Sequence, residues 1–425
     1  MNQRISFVVY QYPLGVSSMI LNSIKMFAKE GIAVDIYIDK PTYRASPVDL
    51  RDERIKILLY DNPWTNIFLC KATMYVCSYS NSFLFSYVFN SVITKWFKRI
   101  PISFFYSCYI KDYIFSKWLK KKIEKENYDY LFPIEAKSLI AIAGMKNKII
   151  YYNMELLDWS EKNPFYGRYK KLLKILEYKA LEKASAVVIQ NNIRAKQFQQ
   201  MNDFNKKTYI LPVASMGEPV YHKGSYFRDK FHIPKDKYVI IYSGNIMPWA
   251  KCVEIVDSFR KCPEKFCLVL HTWKKNAFST PYGIKVKERA KGLPVYFSDD
   301  YLDINELADN LASADIGLMF YEPIDTNFIE ILFSSNKLAE YLKASLPIVT
   351  FDYPELKNFV NNYGIGETIT TMDELPKALL QIVKEYDYYK KNVIDCYLRV
   401  FRFEKYFQPF FEDLYPVKLP NERIK

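Results

Sequence analysis

The sequence predicts an α/β protein with two Rossmann-like domains, and three features carry that expectation. Short apolar runs alternate with helical patterns along most of the 425 residues. A strand-helix-strand pattern opens at residues 4–38, and a second series of strands and helices begins at residue 238. Between them, residues 211–234 show little periodicity and contain Pro212, Gly217, Pro219 and Gly224. Residues 1–212 are therefore expected to form a first domain, 235–395 a second, and the aromatic stretch 396–425 a final helix.

Composition narrows the class. Half of the residues are hydrophobic and 17% aromatic, which supplies large cores and argues against disorder. Seven cysteines without a CxxC fit a reduced compartment better than a disulfide scaffold. Histidine occurs only at His222, His232 and His271, so a histidine-built metal site is not expected. The N-terminal residues read as a strand rather than a signal peptide, and no run reaches the ~18 apolar residues of a spanning helix. The expectation is a cytoplasmic protein. A formal charge of +13 points to an anionic partner: nucleotide, nucleic acid or membrane surface.

In the first half, strand 4–10 leads into a loop holding Pro13 and Gly15, then helix 19–29 and strand 33–38. There is no GxGxxG, so a dinucleotide fold has little support. Gly15 reads either as a plain turn glycine or as a point where the backbone approaches substrate. Residues 61–126 are dense in aromatics from Trp64 to Trp118, and nine Lys/Arg stand between Lys95 and Lys125. Ile110, Ile114, Trp118 and Leu119 share one helical face, with Lys111, Lys117, Lys120, Lys121 and Lys122 around it. Such a helix suits an anionic bilayer, or packs on the domain's own sheet. Strand 128–133 ends at Glu135, and strand 148–153 leads to Glu155. Strand ends in open α/β sheets are where ligands sit, so these carboxylates are the candidate catalytic groups; each reads equally as a helix-start cap.

In the second half, strand 238–242 runs into Ser243-Gly244-Asn245, with Lys251 at the next helix start. Further on, Ser334, Ser335 and Asn336 are good N-caps for helix 337–343. Lys337 puts a cation in the first turn, where it opposes the helix dipole and gains nothing unless an anion binds. Glu340, one turn on, offers a carboxylate to two ribose hydroxyls. The alternative is a capped surface helix with an i,i+3 ion pair.

The run Asn336-Lys337-Leu338-x-Glu340-Tyr341, followed by Leu346-Pro347-Ile348-Val349, resembles the donor-binding helix of GT-B glycosyltransferases of the family 4 type. Those enzymes include many of bacterial surface polysaccharide synthesis. The Glu-Leu turn at Glu155 and the strand ending at Gln190 resemble their N-terminal half more loosely. The resemblance implies two Rossmann-like domains facing across a cleft, with the final helix packed back on the first. It implies Lys337 on the donor diphosphate beside Ser335, Asn336 and Leu338, Glu340 on the ribose, and Phe297 with its loop flanking the base. Gly244, Asn245 and Lys251 would help stabilise the leaving group without a metal. No separate cofactor is expected beyond the donor, a UDP- or GDP-linked sugar. The acceptor would be a lipid-linked oligosaccharide or polysaccharide at an anionic membrane face.

The chain departs from the pattern in two places. Leu332 stands where many members carry a second glutamate, with Glu330 two residues off register, and no histidine precedes His222. Both put a retaining mechanism in question and leave Glu135 or Glu155 as base or as sugar ligand. Competing readings are a nucleotide-sugar epimerase, against which the scarcity of histidine argues, a nucleic-acid binder, for which no motif is present, and a catalytically inert module.

Overall fold

The computed structural model describes residues 3–61, 100–157, 166–324 and 326–416. The aromatic residues named above between 64 and 97 lie outside this set. The chain forms two compact units. Of the described residues, the first comprises those within 1–14, 27–188 and 197–209; the second comprises those within 15–26, 189–196 and 210–425.

The sheet of the first unit contains, among the described residues, β1 (Arg4–Val9), β2 (Ala33–Asp39), β3 (Ile55–Tyr60), β4 (Tyr130–Ile134), β5 (Lys148–Tyr152), β6 (Ala184–Ile189) and β7 (Lys207–Ile210). Their order is β3-β2-β1-β4-β5-β6-β7, with β1 through β6 paired in parallel. The second sheet holds β8 (Tyr238–Ser243), β9 (Phe266–His271), β10 (Val295–Ser298), β11 (Ile316–Met319), β12 (Ile348–Phe351) and β13 (Gly366–Ile369). Its order is β10-β9-β8-β11-β12-β13, parallel throughout. Helices cover both faces of such sheets, which is why their strands read as continuous apolar runs: all six residues of β9 are buried. In each sheet the strand order reverses beside the first strand, between β1 and β4 and between β8 and β11. That switch point opens a crevice at the carboxyl ends of the two strands.

The basic helix spans Ile100–Ile123, and its buried side is Phe115, Leu119 and Ile123. Phe115 stacks on Tyr10 with centroids 4.0 Å apart, Trp118 meets Tyr37 edge-on, and Ser116 donates to the Ala141 carbonyl at 2.7 Å. Of the apolar face expected to meet a bilayer, Leu119 is buried and Ile114 and Trp118 are half-buried, so the helix packs against its own unit, where fully burying such a side chain is worth about 1.5–3 kcal/mol. Lys117, Lys120, Lys121 and Lys122 remain exposed. No helix among the described residues is long and apolar enough to cross a membrane.

The stretch read as a linker is laced into the second unit. The amides of Val213, Ser215 and Val220 donate to the carbonyls of Phe333, Phe401 and Lys343 at 2.8, 3.1 and 2.7 Å. The C-terminal segment is a helix Tyr386–Cys396, a π-helical turn Tyr397–Phe401 and a helix Glu404–Leu414, all within the second unit.

Candidate functional site

At the switch point of the second sheet, β8 ends in Tyr242-Ser243 and continues into Gly244-Asn245, while β11 leads into Tyr321-Glu322. The helix Asn336–Lys343 opens beside them. Ser335 is its N-cap, its hydroxyl accepting the Leu338 amide at 3.2 Å and lying 3.0 Å from the Tyr321 hydroxyl. Lys337 in the first turn sends its ammonium over two rings, 3.8 Å from the Tyr242 centroid and 4.7 Å from that of Tyr321. The Nζ is buried and has no hydrogen-bond partner. Burial lowers its pKa to about 7. Two ring faces attract a cation, but they satisfy none of its three donors as an anion would. Gly244 makes room for this side chain. A Cβ there would lie 3.2 and 3.3 Å from Lys337 Cε and Nζ.

Glu340 is buried on the neighbouring face of the helix. Ser215 Oγ donates to its Oε1 at 2.7 Å, and its Oε2 has no partner. Burial pushes the carboxyl pKa up, opposed by Lys343, by the Ser215 bond and by Lys25. The surface ion pair weighed as an alternative does not form, since the Lys337 ammonium and Glu340 are buried and neither bonds the other. Asn245 Oδ1 is a third buried atom without a partner in the same unit.

The other expected residues divide by what already holds them. Asn336 Oδ1 accepts from the amide and hydroxyl of Ser18, at 3.2 and 2.7 Å. Leu338 is fully buried in the unit. Lys251, in a left-handed conformation (φ 56°), is paired with Glu322 at 3.0 Å and lies 3.7 Å from Glu254. Phe297 packs against Phe278 at 5.0 Å on the edge of the hydrophobic core. Gly15 is buried in the 3-10 turn Leu14–Val16.

At the switch point of the first sheet, Glu135 follows β4 and begins the helix Glu135–Ile142 with φ 63°. A non-glycine residue in that region stores strain, of order 1–3 kcal/mol, and such residues gather at functional sites. Its Oε1 accepts the amides of Met154 and Glu155 at 2.7 and 3.0 Å. Burial, followed by the charge of Glu155, still raises its pKa well above the usual carboxylate range. Glu155 itself is exposed on the loop after β5. Asn153 pins that loop, donating to the Glu155 carbonyl and to the Tyr151 hydroxyl, both at 3.1 Å. Tyr151 donates in turn to Glu177 at 2.7 Å, and Lys174 bridges Glu177 (2.9 Å) and Asn202 (2.6 Å).

Residues 263–401, which include the Lys337 helix, match the family model described as glucosyltransferase 3-like, C-terminal domain. Sucrose-phosphate synthase from Thermosynechococcus elongatus superposes with a TM-score of 0.65 at 14% identity, covering 97% of this chain and 99% of its own. HepE of Anabaena, solved with UDP and glucose, gives 0.64 at 13% identity over 97% and 99%. WaaG, a glycosyltransferase involved in lipopolysaccharide biosynthesis, gives 0.61 at 12% over 97% and 100%. The fold is GT-B. No curated protein sequence matches the chain significantly.

Three residues that matter to this site, Tyr242, Tyr321 and Ser215, escaped the sequence reading, and a fourth, Tyr341, was read only as part of the Asn336–Tyr341 run. Tyr242 and Tyr321 form the Lys337 cradle, and the switch-point rule applied to β8 and β11 would have pointed to both. Tyr341 is buried beneath, its hydroxyl accepting from the Ser243 amide (2.8 Å) and within 3.2 and 3.3 Å of the Ile241 and Leu318 carbonyls. It ties β8 to β11, and Gly317 leaves space for its ring. Ser215 carried no local signal at all.

Proposed function

We propose that this chain is a glycosyltransferase that moves a hexose from a UDP- or GDP-linked sugar to an acceptor hydroxyl, without a metal ion. The observation that carries the reading is the buried, partnerless ammonium of Lys337 at the switch point of the second sheet. A diphosphate leaving group gathers negative charge as the glycosidic bond breaks, and a fixed cation in a dry site stabilises it most at that moment. Glu340 Oε2 accepts the ribose hydroxyls. Glu135 serves as the base toward the acceptor, or holds a sugar hydroxyl, with its carboxylate fixed by two amides. The match at 263–401 and the UDP found with HepE support the donor class.

Calorimetric titration of UDP, GDP and their sugars tests the reading and identifies the base. A hydrogen bond to a charged group contributes about 1.5–3 kcal/mol, so Glu340→Ala should weaken donor binding roughly 10- to 150-fold. Absence of binding by every nucleotide in wild type would sink the proposal.

The acceptor is proposed to be lipid-linked and met at an anionic membrane face. The exposed Lys117, Lys120, Lys121 and Lys122 favour this, each adding about 1 kcal/mol near such a surface. Sedimentation with anionic vesicles at low salt, and release at high salt, is the expected result. Wild type that ignores the vesicles at low salt points to a soluble acceptor instead.

A further inference from the structure

Ser215 lies in the irregular segment after β7, far along the chain from the helix whose carboxylate it touches. We propose that Ser215 is a positioning residue for the donor: its hydroxyl occupies one oxygen of Glu340 and turns the other toward the nucleotide. The inference rests on the reading of Glu340 as the group that accepts donor hydroxyls.

The geometry is specific in two respects. The hydroxyl takes only Oε1, leaving Oε2 buried and without a partner. A buried carboxylate oxygen in that state is costly unless a ligand completes it. The hydroxyl is also held in place from behind. The Ser215 amide donates to the Phe401 carbonyl at 3.1 Å, and its own carbonyl accepts from the Phe403 amide at 3.0 Å and the Tyr397 hydroxyl at 3.2 Å. Tyr397 also donates to the Gly217 carbonyl at 2.9 Å. Ser215 and Tyr397 are both buried. Lys25 and Lys343 act on Glu340 only through their charge, so neither fixes the carboxylate's rotation. That task falls to one hydroxyl, mounted on a backbone clamped by the π-helical turn Tyr397–Phe401. The C-terminal turn thereby acts on the donor site through Ser215.

The test is a double-mutant cycle on full-length protein, with UDP and GDP as probes and thermal midpoints measured alongside. Ser215→Ala should weaken binding of the preferred nucleotide about 5- to 20-fold, raising the donor KM while kcat changes little. Ser215→Thr, which keeps the hydroxyl, should recover most of the loss. In a Glu340→Gln background Ser215→Ala should add less than about twofold. An equal loss in both backgrounds, or a lower thermal midpoint with unchanged affinity, makes Ser215 a structural clasp and overturns the proposal. If Glu340→Gln alone binds like wild type, the donor reading of Glu340 fails first, which is a separate outcome. Should Ser215→Ala fail to fold, Tyr397→Phe loosens the same clamp. Its smaller loss of affinity must also vanish in the Glu340→Gln background, and a loss that persists there rejects the idea.

Discussion

The two sheets share a strand order through six strands, and they place opposite chemistry at the point where that order reverses. In the first, the crevice beside β1 and β4 receives a carboxylate, Glu135, from the residue directly after β4. In the second, the crevice beside β8 and β11 receives an ammonium, Lys337, delivered by a helix that begins well after β11. Burial acts on both in the same sense, toward the neutral form, so it raises the acid and lowers the amine. Topology fixes where a ligand can sit; the side chain brought there decides what chemistry the crevice can offer. The two also differ in how they are held. Glu135 is clamped by two amides in a strained backbone, as suits a group that must stay in place through a chemical step. Lys337 rests on ring faces with nothing bonded to it, as suits a group waiting for an anion.

The largest expected effect separates the two crevices by function. Glu135→Gln should lower kcat by about 10²–10⁴, the range of general acid-base catalysis, while the affinity for nucleotide alone stays unchanged. It should also remove one limb of the pH–rate profile. A variant that loses nucleotide affinity as much as turnover would show that the first crevice binds rather than reacts.

Lys337→Met should do the reverse, weakening diphosphate binding roughly 10- to 150-fold while leaving a folded protein. The smallest effect lies in the stability of the ligand-free protein. The folded pKa of Lys337, about 7, is below its ordinary value of 10.5, so between these two the unfolded chain binds more protons. Stability owed to this residue therefore rises with pH across that window and is lowest at and below pH 7. Denaturant unfolding should find Lys337→Met more stable than wild type at pH 7, with the advantage shrinking toward pH 10. An advantage that does not change with pH would mean the ammonium is not desolvated as its surroundings require.

These contrasts also mark what the sequence could reveal. The inner strands of both sheets were legible because parallel strands are buried on both faces and print as apolar runs; β3, β7 and β13, edge strands that are partly exposed, print no such run and were not read. Lys337 and Glu340 were legible because a cation in a first helical turn opposes the dipole and asks for a reason. Lys251 also stands at a helix start and reads as a second, weaker candidate by that logic. Its pairing with Glu322 comes from a different loop, and no local pattern announces such a partner. The direction of the Phe297 ring, toward Phe278 and the core, is likewise a property of the folded edge strand. On the basic helix, Phe115 rather than Ile114 lies at the centre of the buried face. One residue is 100° of helical phase, and only the sheet beneath sets that phase.

The second unit has a further consequence, for the order in which the protein comes into being. Its residues 15–26 are made early, yet Ser18 bonds Asn336 across 318 positions of sequence, and Asn22 donates to the Ala214 carbonyl at 2.9 Å. Closing so long a loop costs little more in free energy than closing a moderate one, because the entropy grows only with the logarithm of length. It costs time, since contacts of large sequence separation form late. The helix Ser18–Lys29 must therefore wait for most of the chain to leave the ribosome before its first turn finds its place. Until then the Ser18 turn has no Asn336 to bond, and the seat proposed for the donor is unfinished.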